Sequence, residues 1–283
     1  MRKTVLTATA LLLALGTLSV AGASDLLKTS AMSECAGTLC ARRDSVNSVI
    51  ARLRVTLHDK VKNKDYELSG AYLGDAAGNL RLRVTTEAGQ LVLDMGMRGE
   101  NVEICIPGKE QYLSGSREEL LDHPQCNLTL LAHCGRARDL FFPAVPPSEH
   151  PGRGTCRVNG LAYFNIAETK TLLPRYTTRL SVNLAKSVVE EKGVYSRAGA
   201  GAGRVNYSQY RFPEAGAEQP KPAYPGRVTL RVPGGIYVLD MDVEDISLNT
   251  PIAPAKFAIP VPEGFKRETL AAALEKNINI WDQ

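Results

Sequence analysis

The chain has 283 residues, 44% hydrophobic and 23% charged, with a net charge of +4. That balance excludes a disordered chain. So small a basic excess, with no Lys/Arg stripe interleaved with stacking aromatics, argues against a nucleic-acid partner but permits weak attraction to anionic lipid.

Arg2 and Lys3 precede a largely apolar run, Thr4 to Val20, closed by the small residues Ala21-Gly22-Ala23. This pattern predicts a cleaved signal peptide over 1–23, and no lipobox cysteine ends the run. The mature protein is therefore expected to be soluble and periplasmic or secreted. An oxidising compartment makes the six cysteines disulfide candidates. Cys35 with Cys40 and Cys126 with Cys134 are the local pairs, which leaves Cys105 with Cys156. Residues 24–40 read as a Cys-containing N-terminal segment, and 41–283 as one domain.

Val46, Val49, Ile50 and Leu53 fall at helical spacing, which predicts a helix from Arg42 to about Leu53. The period then changes to two. "RLRVTLHDKV", "YELSGAYLG", "LRLRV", "LVLDMGM" and "VEICI" alternate apolar and polar residues, separated by the turns "KNKD", "DAAGN", "EAG" and "RGEN". Five strands in an antiparallel meander are expected. Helical pieces follow in "SREELLDHPQCNLTLLAHCGRARDLFFP", broken near Pro124. Strands resume at "CRVNGLAYFNI" and "TRLSVNL". "AKSVVEEKG" reads as helix or strand, "AGAGAG" as a flexible run, and "RVNYSQYRF", "RVTLRV" and "IYVLDMDVEDISL" as strands. Phe257 and Ile259 are expected to add a short last strand, stopped by Pro260 and Pro262, before a short helix and tail. About ten strands with one apolar side each predict a mainly β fold, an incomplete antiparallel barrel with a helical lid. Its interior is either a filled core or an apolar cavity.

Few residues suggest chemistry. His58 alternates with apolar positions and reads as exposed. His123, Cys126, His133 and Cys134 are suitable zinc ligands by type, but their spacing matches no ribbon or finger. Asp240, Asp242, Glu244 and Asp245 form an acidic cluster that reads as a solvated outer face. There is no nucleophile elbow, P-loop or dinucleotide fingerprint. The expectation is a non-enzymatic protein with no catalytic residue, metal or cofactor.

Two stretches carry a family resemblance. One is "ISLNTPIAPAKFAIPVPEGF", residues 246–265: a strand ending in Asn249, a Phe257-led segment, then Pro262 and Gly264. The other, residues 80–115, holds Arg81 and Arg83 after apolar residues in hairpins closed by "IPGKEQYLSG". With the order of elements, these resemble the lipoprotein-carrier superfamily of the bacterial envelope (LolA/LolB-like), in particular its uncharacterised lipoprotein-like branch. The resemblance implies a concave apolar face that holds acyl chains. Its partners would be a lipid or lipidated protein, with transient contact at a membrane surface and transport towards the outer membrane. On this view Leu80, Leu82, Leu91, Leu93, Met95, Met97, Tyr237, Leu239 and Met241 line the cavity. Each buried methylene would hold such a cargo by about 0.8 kcal/mol. The alternative is an interaction or sensory domain on the same fold that binds a partner protein.

Overall fold

The computed structural model describes residues 31–121, 128–132, 137–144, 155–156, 161–167, 176–196, 200–212, 222–232, 234–276 and 281. The expected signal peptide and the set His123, Cys126, His133 and Cys134 lie outside these residues.

The first helix, α1, spans 31–44 and not 42–53. Met32, Cys35 and Leu39 are its buried stripe. Strand β1, Ser48–Asp59, takes the rest of the expected helix. Val49, Ala51, Leu53, Val55 and Leu57 are buried there at period two, with Arg52 and Arg54 outside. Counting Ala51 as an inward residue turns the apparent helical spacing into strand alternation.

Two meanders build the sheet. The first is β1, β2 (Lys64–Asp75), β3 (Leu80–Thr86), β4 (Leu91–Arg98), β5 (Asn101–Ile106) and β6 (Gln111–Ser116). Helices α2 (Arg117–Leu121) and α3 (Thr129–Ala132) and a 3-10 turn at Ala137–Leu140 follow. The second meander is β7 (Thr155–Cys156), β8 (Leu161–Ala167), β9 (Tyr176–Asn183), β10 (Val188–Ser196), β11 (Gly201–Ser208), β12 (Arg227–Arg231) and β13 (Tyr237–Leu248). β14 (Lys266–Thr269) and α4 (Leu270–Glu275) end the described chain but for Trp281.

Strand β13 returns to pair antiparallel with β1, which joins the two meanders side by side. Among the described residues the result is one sheet of fourteen strands, ordered β14-β6-β5-β4-β3-β2-β1-β13-β12-β11-β10-β9-β8-β7. All neighbours are antiparallel except β14, which runs parallel to β6. β7 and β14 stand at opposite edges, so the barrel is incomplete. Fourteen strands replace the expected ten because short pieces such as β7 and β14 carry too few residues to show a period. "AGAGAG" is in part strand: Gly201, Ala202 and Gly203 begin β11.

The C-terminal segment differs from expectation. Phe257 and Ile259 form no strand; Pro254–Phe257 is a 3-10 turn, and the chain then crosses the outer side of β3 and β4. Prolines at 251, 254, 260 and 262 deny this segment the donors a ladder requires. It is held as a strap instead. Arg81 Nη1 donates to the Lys256 carbonyl at 2.9 Å. Ile259 packs with Cys105 and Tyr112 in a small second core, with Val261 and Phe265 beside it. A Cβ at Gly96 would lie 3.0 Å from the Phe257 carbonyl oxygen, so the strap and β4 approach at a glycine. Gly264, at φ +82°, makes the turn from strap to β14.

Candidate functional site

The concave side of the sheet is a wall of apolar side chains. Leu80, Leu82, Leu93, Met95, Leu239 and Met241 are fully buried, and Met97 and Tyr237 nearly so. The pairing explains their common face. Leu80 lies opposite Met97, Leu82 opposite Met95 and Val84 opposite Leu93, while Leu57 and Leu230 flank Leu239. Leu91 is set apart. The register slips between Val84 and Thr85, so that Leu91 stands opposite Thr85 and is only half-buried. Val92 is buried in the main core in its stead.

Short helical segments cover this wall. Met32, Cys35 and Leu39 come from α1, Leu120 from α2, and Leu130, Leu131 and Ala132 from α3. Leu140, Phe141 and Phe142 complete the cover. Tyr72 of β2 meets Phe141 edge to face, with centroids 5.0 Å apart. Gly203 of β11 gives Leu130 its seat, because a Cβ there would overlap that side chain.

At the junction of α1 and the Phe141–Pro143 segment lies a crevice lined by Leu39, Arg42, Phe141, Phe142, Val189 and Tyr210. Its free space, about 10 Å³, is that of one water molecule. Arg42 lies on the same face of α1 as Met32, Cys35 and Leu39. Its Nη1 donates to the Ser187 carbonyl at 2.7 Å. Burial pulls its guanidinium below the ordinary value, and the neighbouring Tyr210 and Cys35 only partly oppose this. The Tyr210 hydroxyl donates to the Val189 carbonyl at 2.6 Å, and burial pushes its phenol upward. The neighbouring cations are placed differently: Arg43 and Arg138 reach Asp44 at 3.0 and 3.3 Å. Arg138 also donates to the Val46 carbonyl, which ties the cover to the start of β1.

The outer face is ionic. Arg52 and Arg54 share Glu244, and Arg227 grips Asp242 through Nε and Nη2 at 2.5 and 2.7 Å. His58 lies between Asp65 at 2.7 Å and Asp240 at 3.2 Å. Burial disfavours its charge, but the two carboxylates outweigh this and raise its pKa. Asp240, Asp242 and Glu244 are thus outward, as expected, but paired. Asp245 is exposed beside them. Under the strap, Arg81 Nε and Nη2 hold Asp94 at 2.9 and 2.7 Å.

The expected disulfides do not form where the chain is described. Cys35, Cys40 and Cys105 carry thiols. Cys35 and Cys40 are five residues apart on one helix, a rise of about 7.5 Å, which exceeds the reach of a bridge. Cys105 points outward beneath Ile259, so it does not bond Cys156, of which only the β7 backbone is described.

No protein-family model matches the chain, and no curated protein matches it in sequence. Solved structures do. A LolA superfamily protein from Nitrosomonas europaea superposes with a TM-score of 0.52 at 14% identity, over 79% of this chain and 97% of the other. The fold is LolA-like. A DUF1329 family protein from Desulfovibrio piger superposes equally well, with a TM-score of 0.52 at 8% identity, over 80% and 97% of the two chains. At such identities the likeness concerns the LolA-like fold and carries no residue roles. Arg42 and Tyr210 were absent from the sequence-based site because the helix was placed too late. With α1 at 31–44, a cation on the apolar stripe Met32, Cys35, Leu39 is the signal that finds the crevice.

Proposed function

We propose that this LolA-like chain is a non-enzymatic protein that binds lipid or lipoprotein acyl chains between its concave face and the helical cover. Its compartment on this reading is extracytoplasmic, and the cargo moves towards an outer membrane. One observation carries the reading. The row Leu80, Leu82, Leu93, Met95, Met97, Tyr237, Leu239 and Met241 shares one core with residues of α1, α2, α3 and the 3-10 turn, and the described strands form a single sheet with no second sheet among the described residues to close over that row. Leucine and methionine adapt their shape to a flexible chain. A cover of short segments can be displaced without breaking the ladders that hold the barrel.

Two measurements test this. Organic extraction of the purified protein, followed by mass spectrometry, should yield acyl lipid. A fluorescent acyl probe should bind the delipidated protein and be displaced by that extract. No extracted lipid and no probe uptake would refute the proposal. The tightness of the crevice favours a second reading, in which the interior is permanently filled and the outer surface binds a partner protein. That outcome of the extraction would select it.

A further inference from the structure

We propose that Arg42 is the anchor for the anionic end of a bound amphiphile, whose chain enters between α1 and the Phe141–Pro143 segment. The inference rests on the acyl-binding reading and deepens it by assigning the head group.

The argument is one of charge accounting. Desolvating a guanidinium is costly unless it is paired. Arg43 and Arg138, a short distance away, have Asp44. Arg42 has none among the described residues: its hydrogen bond goes to the neutral carbonyl of Ser187 at 2.7 Å. A single carbonyl uses one of five N–H donors. The crevice around it is otherwise lined by Leu39, Phe141, Phe142 and Val189, with the Cys35 thiol nearby; Tyr210 is committed to the Val189 carbonyl, and Glu190, which acts on Tyr210, accepts from Asn183. A half-buried cation at the mouth of an apolar crevice is complementary to one ligand chemistry, an oxyanion carried on a hydrocarbon chain. A guanidinium can take a carboxylate or a phosphate in bidentate fashion. The hydrocarbon would displace the Phe141 and Phe142 side chains and continue along the wall behind them, where Tyr72 now packs on Phe141.

The test compares ligands of equal chain and different head. Delipidated protein is titrated with oleate, oleyl alcohol and oleyl phosphate by displacement of a fluorescent acyl probe. Oleate or oleyl phosphate should bind about tenfold tighter than the alcohol, the scale of a hydrogen bond to a charged group. Whichever anion binds tighter identifies the head group as carboxylate or phosphate. Arg42→Gln should abolish the preference for the anion over the alcohol, whereas Arg42→Lys should retain most of it. Equal binding of all three ligands by the unaltered protein, or a preference that persists in Arg42→Gln, would overturn the head-group assignment while leaving acyl binding intact. Binding of none would overturn both. Because the ligand comparison needs no variant, equal binding overturns the assignment even where Arg42→Gln does not fold, and Arg42→Lys then carries the test of the residue.

Discussion

Asn249 closes the sheet, and its replacement gives a measurable test of how. Strand β13 ends at Leu248, and Asn249 follows at φ +60°. Its Oδ1 accepts from the Asn47 amide at 2.6 Å, and its Nδ2 donates to the Ser45 carbonyl at 3.0 Å. Its own amide donates to the Ser48 carbonyl at 3.0 Å. The side chain thus ties the end of β13 to the link between α1 and β1. Alanine at this position loses both side-chain bonds and must hold a left-handed backbone. Each exposed bond contributes about 0.5 kcal/mol, at the low end of the usual range, and the conformation costs alanine about 1 kcal/mol. Asn249→Ala should therefore destabilise by about 2 kcal/mol, or about 4–8 °C in Tm for a domain of this size. Asn249→Gly is free of the steric cost and should lose about 1 kcal/mol, or about 2–4 °C. Thermal unfolding followed by circular dichroism measures both. A glycine variant no more stable than the alanine variant would refute the backbone argument. Two variants that melt with the unaltered protein would refute the tie altogether.

Four further outcomes are expected. Arg81→Met leaves Asp94, whose side chain is 4% exposed, without its cation, and should cost about 3–5 kcal/mol in urea unfolding; Arg81→Met with Asp94→Leu should recover much of that. The raised pKa of His58 means that its contribution is complete below the ordinary value of 6.5 and is lost as pH rises through the folded value. The stability difference between the protein and His58→Gln should shrink from about pH 5.5 to pH 8.5, and a difference growing with pH would contradict the Asp65–His58–Asp240 arrangement. Thiol labelling of the native protein should modify the partly exposed Cys40 before Cys35 and Cys105, whose thiols burial shields and shifts upward, and peptide mapping should show no Cys35–Cys40 bridge. Hydrogen exchange should open α2 and α3 well before β1 and β13, and equal protection would remove the displaceable cover from the proposal.

The sheet was legible wherever alternation ran undisturbed. Leu80, Leu82 and Val84 in β3, and Tyr237, Leu239, Met241 and Val243 in β13, were placed on their buried face by period two alone. Legibility failed where a second rule competed. Val46, Val49, Ile50 and Leu53 fit a helix, but Val49 and Leu53 also fit a strand face once Ala51, too small to weigh as apolar, is counted between them and Ile50 is placed on the other side. Leu91 fits the alternation of β4 but sits beyond a register slip, which no periodicity reveals. The strap was read as a strand because Phe257 and Ile259 are two apart; the prolines around them decide otherwise. Arg42 illustrates a dependent error, since the face of a helix cannot be assigned when its start is wrong.

These particulars bear on where the molecule can yield. The ladders of β1 with β2 and of β1 with β13 are long, and hydrophobic contact on their concave side adds to backbone hydrogen bonding. Apart from α1, the cover has no such redundancy. Its segments α2, α3 and the 3-10 turn are five, four and four residues long, below the length at which a helix holds itself together. They stay in place through side-chain contacts such as Tyr72 on Phe141 and through tethers such as Arg138 on the Val46 carbonyl. The strap guards the opposite side, where Arg81 and Asp94 lock it to β3 and β4. On the acyl-binding proposal the cargo enters from the helical side, where Arg42 stands without a carboxylate among the described residues.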